Sequence, residues 1–446
     1  MKILKAYKFR LKPTKEQVAM LKRHGGNSRF IWNKLLEFAK TTKKDTGRYP
    51  NQSLLQKKII QLKSANDFMK ISHSQPIQVN ALRLHKTYLD AFQPEVVAER
   101  NQKVAQAHTI KDEEKKAKAL AKALDFGLPK FKSKNQHSDS LFYPQNTIVK
   151  RSRMHFPKLG WINYIKHRKV EGTIKFVTIT QDGNQYYASI TCEVEIKEKV
   201  KPPIDKANIV GADVGLEKFA VLSDKTVIEN PRTLKRYLKK LRRESRRLSR
   251  KENKETGEKT IYGKDIKKSS SNRNKQIIKV QKLHRKIRNI RKNFLHQTTH
   301  RIIITYDGVV LENLDIKAMF RENSKAMNRS IADVSWYEFA RQLAYKSIWN
   351  SKYFVQVDQY FASTQLCSQC GSMAHLSLKD RMYVCPNCGA VLDRDYNSSL
   401  NLKNEGIRIL INTVGITGIQ ACGSIPLGVE VKREKRRFRR PIVAVA

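Results

Sequence analysis

The sequence predicts an α/β protein with additional β and helical parts, and three observations carry that prediction. From residue 208 on, apolar runs, two in NIVGADVGLEKFAVLSD and one in VVLENL, alternate with stretches whose leucines and isoleucines recur at helical spacing. Near the N-terminus a strict apolar/basic alternation reads as a strand. Between that strand and a strand-rich stretch at 138–200 lies a long Lys-rich helical segment. With 446 residues, 40% of them hydrophobic, the chain has material for two to four domains with their own cores.

In residues 3–12, Tyr7, Phe9 and Leu11 share one face, and Lys8, Arg10 and Lys12 the other. Pro13 ends the strand, and Thr14 with Gln17 has capping-box spacing. The pattern is helical from there to about residue 125, with Phe30, Trp32, Phe38, Tyr88 and Phe92 read mostly as core. GLPKFKSK (127–134) breaks the pattern. Strands then follow, with a turn signal at Asp182-Gly183-Asn184. A β module therefore starts at residue 3, is interrupted by a helical insertion and resumes after residue 127. KEKVKPPIDK (197–206) reads as a linker.

A new core begins with NIVGADVGLEKFAVLSD (208–224), two apolar strands around a Gly-rich turn. Residues 235–292 hold 24 Lys or Arg against 5 Asp or Glu, a net of +19. Leu234, Leu238, Leu241 and Leu248 form one helical stripe, and Val280, Leu283, Ile287, Ile290 and Phe294 a second. This predicts a helical hairpin with inward apolar stripes, exposed basic faces and a polar, loop-like middle (KENKETGEKT…KKSSSNRN). RIIITYDGVVLENL (301–314) reads as a buried strand, residues from about Val334 to Ser351 as a helix, and KYFVQVDQYFAST (352–364) as a strand.

The charge balance narrows the function. Eighty-nine Lys plus Arg stand against 40 Asp plus Glu, a net of +49. Self-repulsion of that size calls for a polyanionic partner, and phosphate backbones release counterions when such a surface binds them. Lys239, Arg242, Arg243, Arg246, Arg247, Arg285, Arg288 and Arg291 on the basic hairpin are the candidate nucleic-acid contacts. No apolar run approaches 18 residues and the N-terminus has no apolar stretch of signal-peptide length, so the sequence predicts no membrane association and a cytoplasmic location. Four of the six cysteines form two CxxC pairs, while Cys192 and Cys422 stand alone. That is metal usage in a reducing compartment.

Cys367, Cys370, Cys385 and Cys388 are spaced C-x2-C-x14-C-x2-C, each pair preceding a glycine. Four thiolates suit one closed, tetrahedral, structural Zn2+, with no open position for catalysis. His375 reads as an exposed loop residue. Three acids occupy unusual contexts. Asp213 interrupts an apolar strand, Glu312 ends another, and Asp395 opens a helical pattern, RDYNSSLNLKNEG, closed by Gly406. Singly, a strand-end acid is more often a cap. Together, in a chain this basic, the three suit two Mg2+ ions and phosphodiester hydrolysis, because hard oxygen ligands hold Mg2+ and paired ions activate water and stabilise a leaving oxygen.

GADVGLEKFA, VVLENL and CSQCG…CPNCG…DRDYNSSLNL resemble the motifs of the TnpB (OrfB) transposon-encoded RNA-guided DNA endonucleases, relatives of the miniature type V CRISPR nucleases. YKFRLKPTKEQ, RFIWN and LPKFKSK resemble the same family, so the likeness spans nearly the whole chain. It implies an RNase H-like (RuvC) nuclease domain with Asp213, Glu312 and Asp395 as catalytic, Mg2+-binding triad. Asp395 is preferred to Asp393 because Asp395-Tyr396-Asn397 meets the family's Asp-x-Asn pattern, with Ser398 and Ser399 where small residues usually follow. The implied domains are a wedge β-barrel (1–13 and 128–204) carrying a helical recognition insertion (14–127), a RuvC-like domain (205–364 and 391–430) including the basic hairpin (234–294), a zinc ribbon (365–390) and a basic tail (431–446). The implied partners are a guide RNA from the transposon end and double-stranded target DNA next to a short motif, with both strands cut in turn at one site. A nuclease-inactive RNA-guided binder, a small type V CRISPR effector and a basic zinc-ribbon protein that coats RNA are the alternatives. A strand-joining transposase has no supporting nucleophile motif, and a monomer is the favoured oligomeric state.

Overall fold

The computed structural model describes residues 2–134, 139–196, 200–251, 254–259, 265–268, 270–377 and 380–414, with backbone alone at 254–259, 265–268 and 413–414. Cys422, the basic tail 431–446 and the end of the last nuclease segment lie outside the described residues. The chain divides into two units, Met1–Glu195 and Ile196–Ala446.

The alternation near the N-terminus becomes β1 (Lys2–Lys12), with Tyr7, Phe9 and Leu11 buried and Lys8, Arg10 and Lys12 exposed. It lies in a seven-stranded antiparallel sheet with β2 (Ser140–Tyr143), β3 (Ile148–Val149), β4 (Arg153–Phe156), β5 (Gly160–Ile165), β6 (Thr173–Asp182) and β7 (Gln185–Glu195), in the order β2-β6-β7-β1-β5-β4-β3. In a flat sheet β2 and β4, five places apart, would be separated by roughly 24 Å at ~4.8 Å per strand. Yet the rings of Tyr143 on β2 and Phe156 on β4 meet with centroids 5.3 Å apart. The sheet therefore curls around one apolar core, which also buries Cys192. Gly183 and Asn184 make the tight β6–β7 turn at the expected place.

Between β1 and β2 run α1 (Lys15–Thr46), α2 (Gln52–Ser64), α3 (Ser74–Ala91), α4 (Pro94–His108) and α5 (Glu113–Leu124). The capping box forms: Thr14 Oγ1 accepts from the Gln17 N–H at 3.2 Å, and the Gln17 side chain accepts from the Thr14 N–H at 3.1 Å. Trp32 and Tyr88 are buried and Phe30 and Phe38 pack against them, but Phe92 is exposed. Asn33 exchanges two hydrogen bonds with the Lys132 backbone, and Trp32 donates to the Lys130 carbonyl at 2.9 Å. The stretch that broke the helical pattern is thus docked on α1.

The second unit is built on a mixed sheet of β8 (Ile209–Val214), β9 (Lys218–Leu222), β10 (Val227–Glu229), β13 (Gly308–Glu312) and β14 (Tyr353–Val357), in the order β10-β9-β8-β13-β14. β8, β13 and β14 are parallel, while β9 runs antiparallel to β8 and β10. Strand order reverses between β8 and β13, the point where open α/β sheets place ligands beyond the strand C-termini. One face packs on α7 (Ser271–Thr305) and α10 (Trp336–Asn350), through Val210, Ala212, Val309 and Leu311 against Leu295, Ile302 and Phe339. The other packs on α11 (Arg394–Val414), through Ile209 and Val310 against Leu402, Ile407 and Leu410.

The structure corrects several expectations here. RIIIT ends α7 rather than starting a strand, since an all-apolar run fits either element, and β13 is confined to Gly308–Glu312. Two short helices, α8 (Ile316–Glu322) and α9 (Lys325–Val334), precede α10. The hairpin's middle contains a two-stranded ribbon, β11 (Lys254–Lys259) with β12 (Asp265–Lys268), between α6 (Thr233–Ser249) and α7. Gly406 does not close α11 but lies inside it, packed against Val310.

Two glycines set the approach of α11. A Cβ on Gly406 would meet the Val310 side chain at 2.3 Å, and a Cβ on Gly211 in β8 would lie 2.0 Å from the Ser399 carbonyl oxygen. Backbone does not yield as a side-chain tip does. Gly211→Ala is therefore expected to push α11 off the sheet and destabilise the second unit by ~3 kcal/mol, read as a drop in its denaturant midpoint. An unchanged midpoint would contradict this close packing.

Candidate active site

β8 and β13 run in register, with Gly308 beside Ile209 and Leu311 beside Ala212. The next residues along are Asp213 and Glu312, at the C-terminal ends of neighbouring parallel strands. Side chains alternate along a strand, so Asp213 shares the α11 face with Ile209 and Gly211, and Glu312 shares it with Val310. The first turn of α11 carries Asp395. The three acids thus converge where the strand order reverses, although their ligand oxygens are not all within 4.8 Å of one another.

The electrostatics are those of crowded carboxylates. Burial, then the neighbouring Asp395 and Glu312, push the Asp213 carboxyl up to about 8. A hydrogen bond from Ser398 and the Arg394 charge oppose this. Burial also raises Glu312. Three acids held together against such a cost suit a cation between them, and the N-terminus of α11 adds only a partial positive charge.

Asp393 and Asp395 separate by role. Asp393 Oδ1 accepts from the Tyr396 N–H at 3.0 Å and so caps α11, and its other oxygen faces Lys218 Nζ at 3.5 Å. Asp395, inside the first turn, has Arg394 Nε 3.5 Å away.

The four cysteine sulfurs lie within 4.8 Å of one another, alone among the described His, Cys, Asp and Glu groups of three or more. Cys367 and Cys388 sulfurs are 3.7 Å apart and those of Cys370 and Cys385 3.5 Å. Tetrahedral Zn2+ with ~2.3 Å Zn–S bonds would set its sulfurs ~3.8 Å apart, so the donor set fits. Gly371 and Gly389 close the two turns with φ of +75° and +69°, donating to the Cys367 and Cys385 carbonyls. His375 is exposed. β15 (Met382–Val384) and β16 (Val391–Asp393) form the module's hairpin.

Sequence reasoning missed how this module reaches the acids. Asn397, fully buried, accepts from the Ser368 N–H at 2.9 Å and donates to the Leu366 carbonyl at 2.6 Å. Asn401 donates to the Ser363 and Leu366 carbonyls at 2.8 and 2.7 Å. Ser398 Oγ meets Ser363 Oγ at 3.1 Å. The turn holding Cys367 is thereby pinned to the first two turns of α11, directly behind Asp395. The available signal was two asparagines four apart, hence on one helix face.

On the basic hairpin, Lys239, Arg242, Arg243, Arg246, Arg247 and Arg288 are exposed. Arg285 and Arg291 do not fit the expectation. Arg285 is buried, and the Arg291 guanidinium is held by Asp333 at 2.9 Å, Ser335 at 3.3 Å and the Ala332 carbonyl at 3.2 Å. Leu283 and Ile287 of the second stripe are buried and those of α6 half-buried, as expected.

Comparison with known proteins bears on the same residues. A family described as "Probable transposase" (OrfB of IS605 type) matches residues 189–323, a "Cas12f1-like, TNB domain" matches 336–402, and a helix-turn-helix domain matches 1–48. The Escherichia coli K12 protein InsQ, whose name provisionally gives it as an RNA-guided DNA endonuclease, is 31% identical over 428 residues, covering 92% of this chain and 94% of its own. The chain belongs to the TnpB family of RNA-guided DNA endonucleases. A second relative, from Streptomyces pristinaespiralis, carries the same provisional description and is 26% identical across 99% of this chain and 96% of its own. Among solved structures, the mini RNA-guided endonuclease CRISPR-Cas phi3 matches 91% of this chain and 92% of its own at 11% identity, with a TM-score of 0.39. The TnpB-family helix-turn-helix region here is β1 followed by one uninterrupted helix. The acids at 213 and 312 fall in the first matched segment, and the four cysteines with Asp395 in the second. No helix among the described residues is long and apolar enough to cross a membrane.

Proposed function

We propose that this chain is an RNA-guided, Mg2+-dependent DNA endonuclease with one catalytic centre, made by Asp213, Glu312 and Asp395 in an RNase H-like (RuvC) domain. The observation that carries it is the convergence of three carboxylates at the reversal point of a mixed sheet, in a chain of net charge +49. The strand order, with the first strand central, an antiparallel β9 and then β10 on one side and two parallel strands on the other, supports the domain assignment. Two Mg2+ ions held by these acids would supply an activated water and stabilise the charge of the departing oxygen. Ser398 orients the Asp213 carboxylate, Asp393 holds the helix start that presents Asp395, and the apolar layers on both sheet faces keep the strand ends rigid. The exposed Lys239, Arg242, Arg243, Arg246, Arg247 and Arg288 would take phosphates of guide RNA or target. Guide pairing would supply sequence choice, and the curled sheet with its helical insertion would read the short motif beside the target. The complete acid set supports cutting over occupancy alone.

The test is to sequence the RNA that co-purifies with the protein and offer DNA matched to it. Mg2+-dependent cutting of matched DNA alone is expected. Binding without cutting in Mg2+ would favour the nuclease-inactive alternative, and no defined RNA would end the RNA-guided reading.

The carboxylate crowding has a separate consequence. Without a cation, between the ordinary carboxylate range and about pH 8 the folded state holds a proton on Asp213 that the unfolded state has lost. Stability therefore falls as pH rises through that window. Asp213→Asn should melt higher than the parent at pH 8 in chelator, by a few kcal/mol at most, and the gap should close towards pH 4. A gap independent of pH would refute the burial of that charge.

A further inference from the structure

A groove of about 370 Å³ lies between the β8–β9 turn, the start of α6 and α9. Its floor is aliphatic, with Leu234, Leu238 and Met327. Its wall includes Leu216, three residues past Asp213 in the turn after β8, at the end of the sheet that carries the acids. The volume is near the lower end of ligand pockets, roughly 300–1,000 Å³, which is room for one nucleotide and too little for a base pair.

The charges around it are unevenly spent. Both lining acids have partners: Glu217 pairs with Arg381 at 2.9 Å, and Asp333 accepts from the Leu234 N–H at 2.7 Å and from Arg291 at 2.9 Å. The exposed Lys235 and Arg329 have no carboxylate partner among the described residues, and Arg232 reaches only the Glu217 carbonyl, at 3.4 Å. The charge left over is therefore positive, at the rim of an apolar floor. That complements a nucleotide, with its flat apolar base and its anionic phosphate.

We propose that this groove is a subsite for one unpaired nucleotide of the DNA strand being cut, its base against Leu234, Leu238 and Met327 and its phosphate between Lys235 and Arg329. The assignment rests on reading Asp213, Glu312 and Asp395 as the cutting centre. The subsite would fix the register of an unpaired strand across that centre and disfavour duplex, which cannot place a base in the groove.

The experiment walks a single abasic nucleotide through the cut region of guide-matched DNA and measures cutting rates. With the parent ribonucleoprotein, one abasic position should slow cutting about tenfold, the size of one lost base contact. Leu238→Trp, which fills the groove, should cut intact DNA about tenfold more slowly and lose the abasic penalty. Lys235→Ala with Arg329→Ala, both exposed, should also shrink that penalty and raise the KM for DNA, which keeps the test independent of how Leu238→Trp folds. Parent cutting that is indifferent to abasic sites at every position overturns the subsite while leaving the nuclease reading intact, as does a penalty that survives in both variants. A parent that cuts no matched DNA overturns the nuclease reading and the subsite with it.

Discussion

Asp213→Ala abolishes cutting of guide-matched DNA, lowering the rate by at least ~10³-fold, and leaves the ribonucleoprotein's affinity for that DNA within about threefold. The expectation follows from position. Asp213 sits on the central strand of the second unit, between β9 and β13 and under the start of α11. Burial, then the neighbouring Asp395 and Glu312, raise its carboxyl, so a cation beside it would favour its ionised form. The side chain is small and not part of the apolar layers, so its loss leaves the sheet packed. Asp213 is not among the exposed basic residues proposed to hold guide and target, so binding is expected to be spared. The check pairs a cleavage time course with a gel-shift titration on the same preparation. Cutting at the parental rate would remove Asp213 from the centre, and parallel loss of binding would make its role structural.

Cys367→Ser is expected to cost cutting at least ~100-fold, with bound zinc falling well below one equivalent. A closed four-thiolate site does no chemistry itself, so the loss must travel through structure. The route is the pair of asparagines. Leu366 and Ser368, on either side of Cys367, bond to Asn397, and Leu366 also bonds to Asn401. Loosening that turn frees the helix start that carries Asp395. Asn397→Ala should then lower cutting about tenfold with zinc retained in full, because it breaks the link and not the metal site. Zinc content and cleavage rate measured together separate the two variants. Full activity in a zinc-free Cys367→Ser protein would show the module to be dispensable for catalysis.

The acids and the cysteines were legible because each is chemically out of place. A carboxylate in an apolar strand is costly without a partner, and paired CxxC turns before glycine leave few uses other than metal. The strands β8, β13 and β14 were legible as apolar runs, but their adjacency was not. β8 and β13 are joined across nearly a hundred residues, and nothing local states that Asp213 and Glu312 end side by side. Gly211 in the middle of a strand did carry a signal of close backbone approach, but the partner, the Ser399 carbonyl, lies on a helix far along the chain. RIIIT was misread because an unbroken apolar run fits a buried helix end as well as a strand. Arg285 is buried and Arg291 is paired, against the expectation of exposed basic faces, because helical periodicity finds the apolar stripe but not the neighbouring elements, such as α9 at Arg291, that cover a basic residue at its margin.

Direct comparison of the acids one by one decides which of them cut. In one assay, Asp213→Ala, Glu312→Ala, Asp395→Ala and Asp393→Ala are loaded with the co-purifying RNA and compared on matched DNA in Mg2+. The first three should fall to the chelator background, while Asp393→Ala, having lost a helix cap worth ~1 kcal/mol, should still cut measurably. Parental cutting by any of the first three, or a dead Asp393→Ala beside an active Asp395→Ala, would contradict the centre described above.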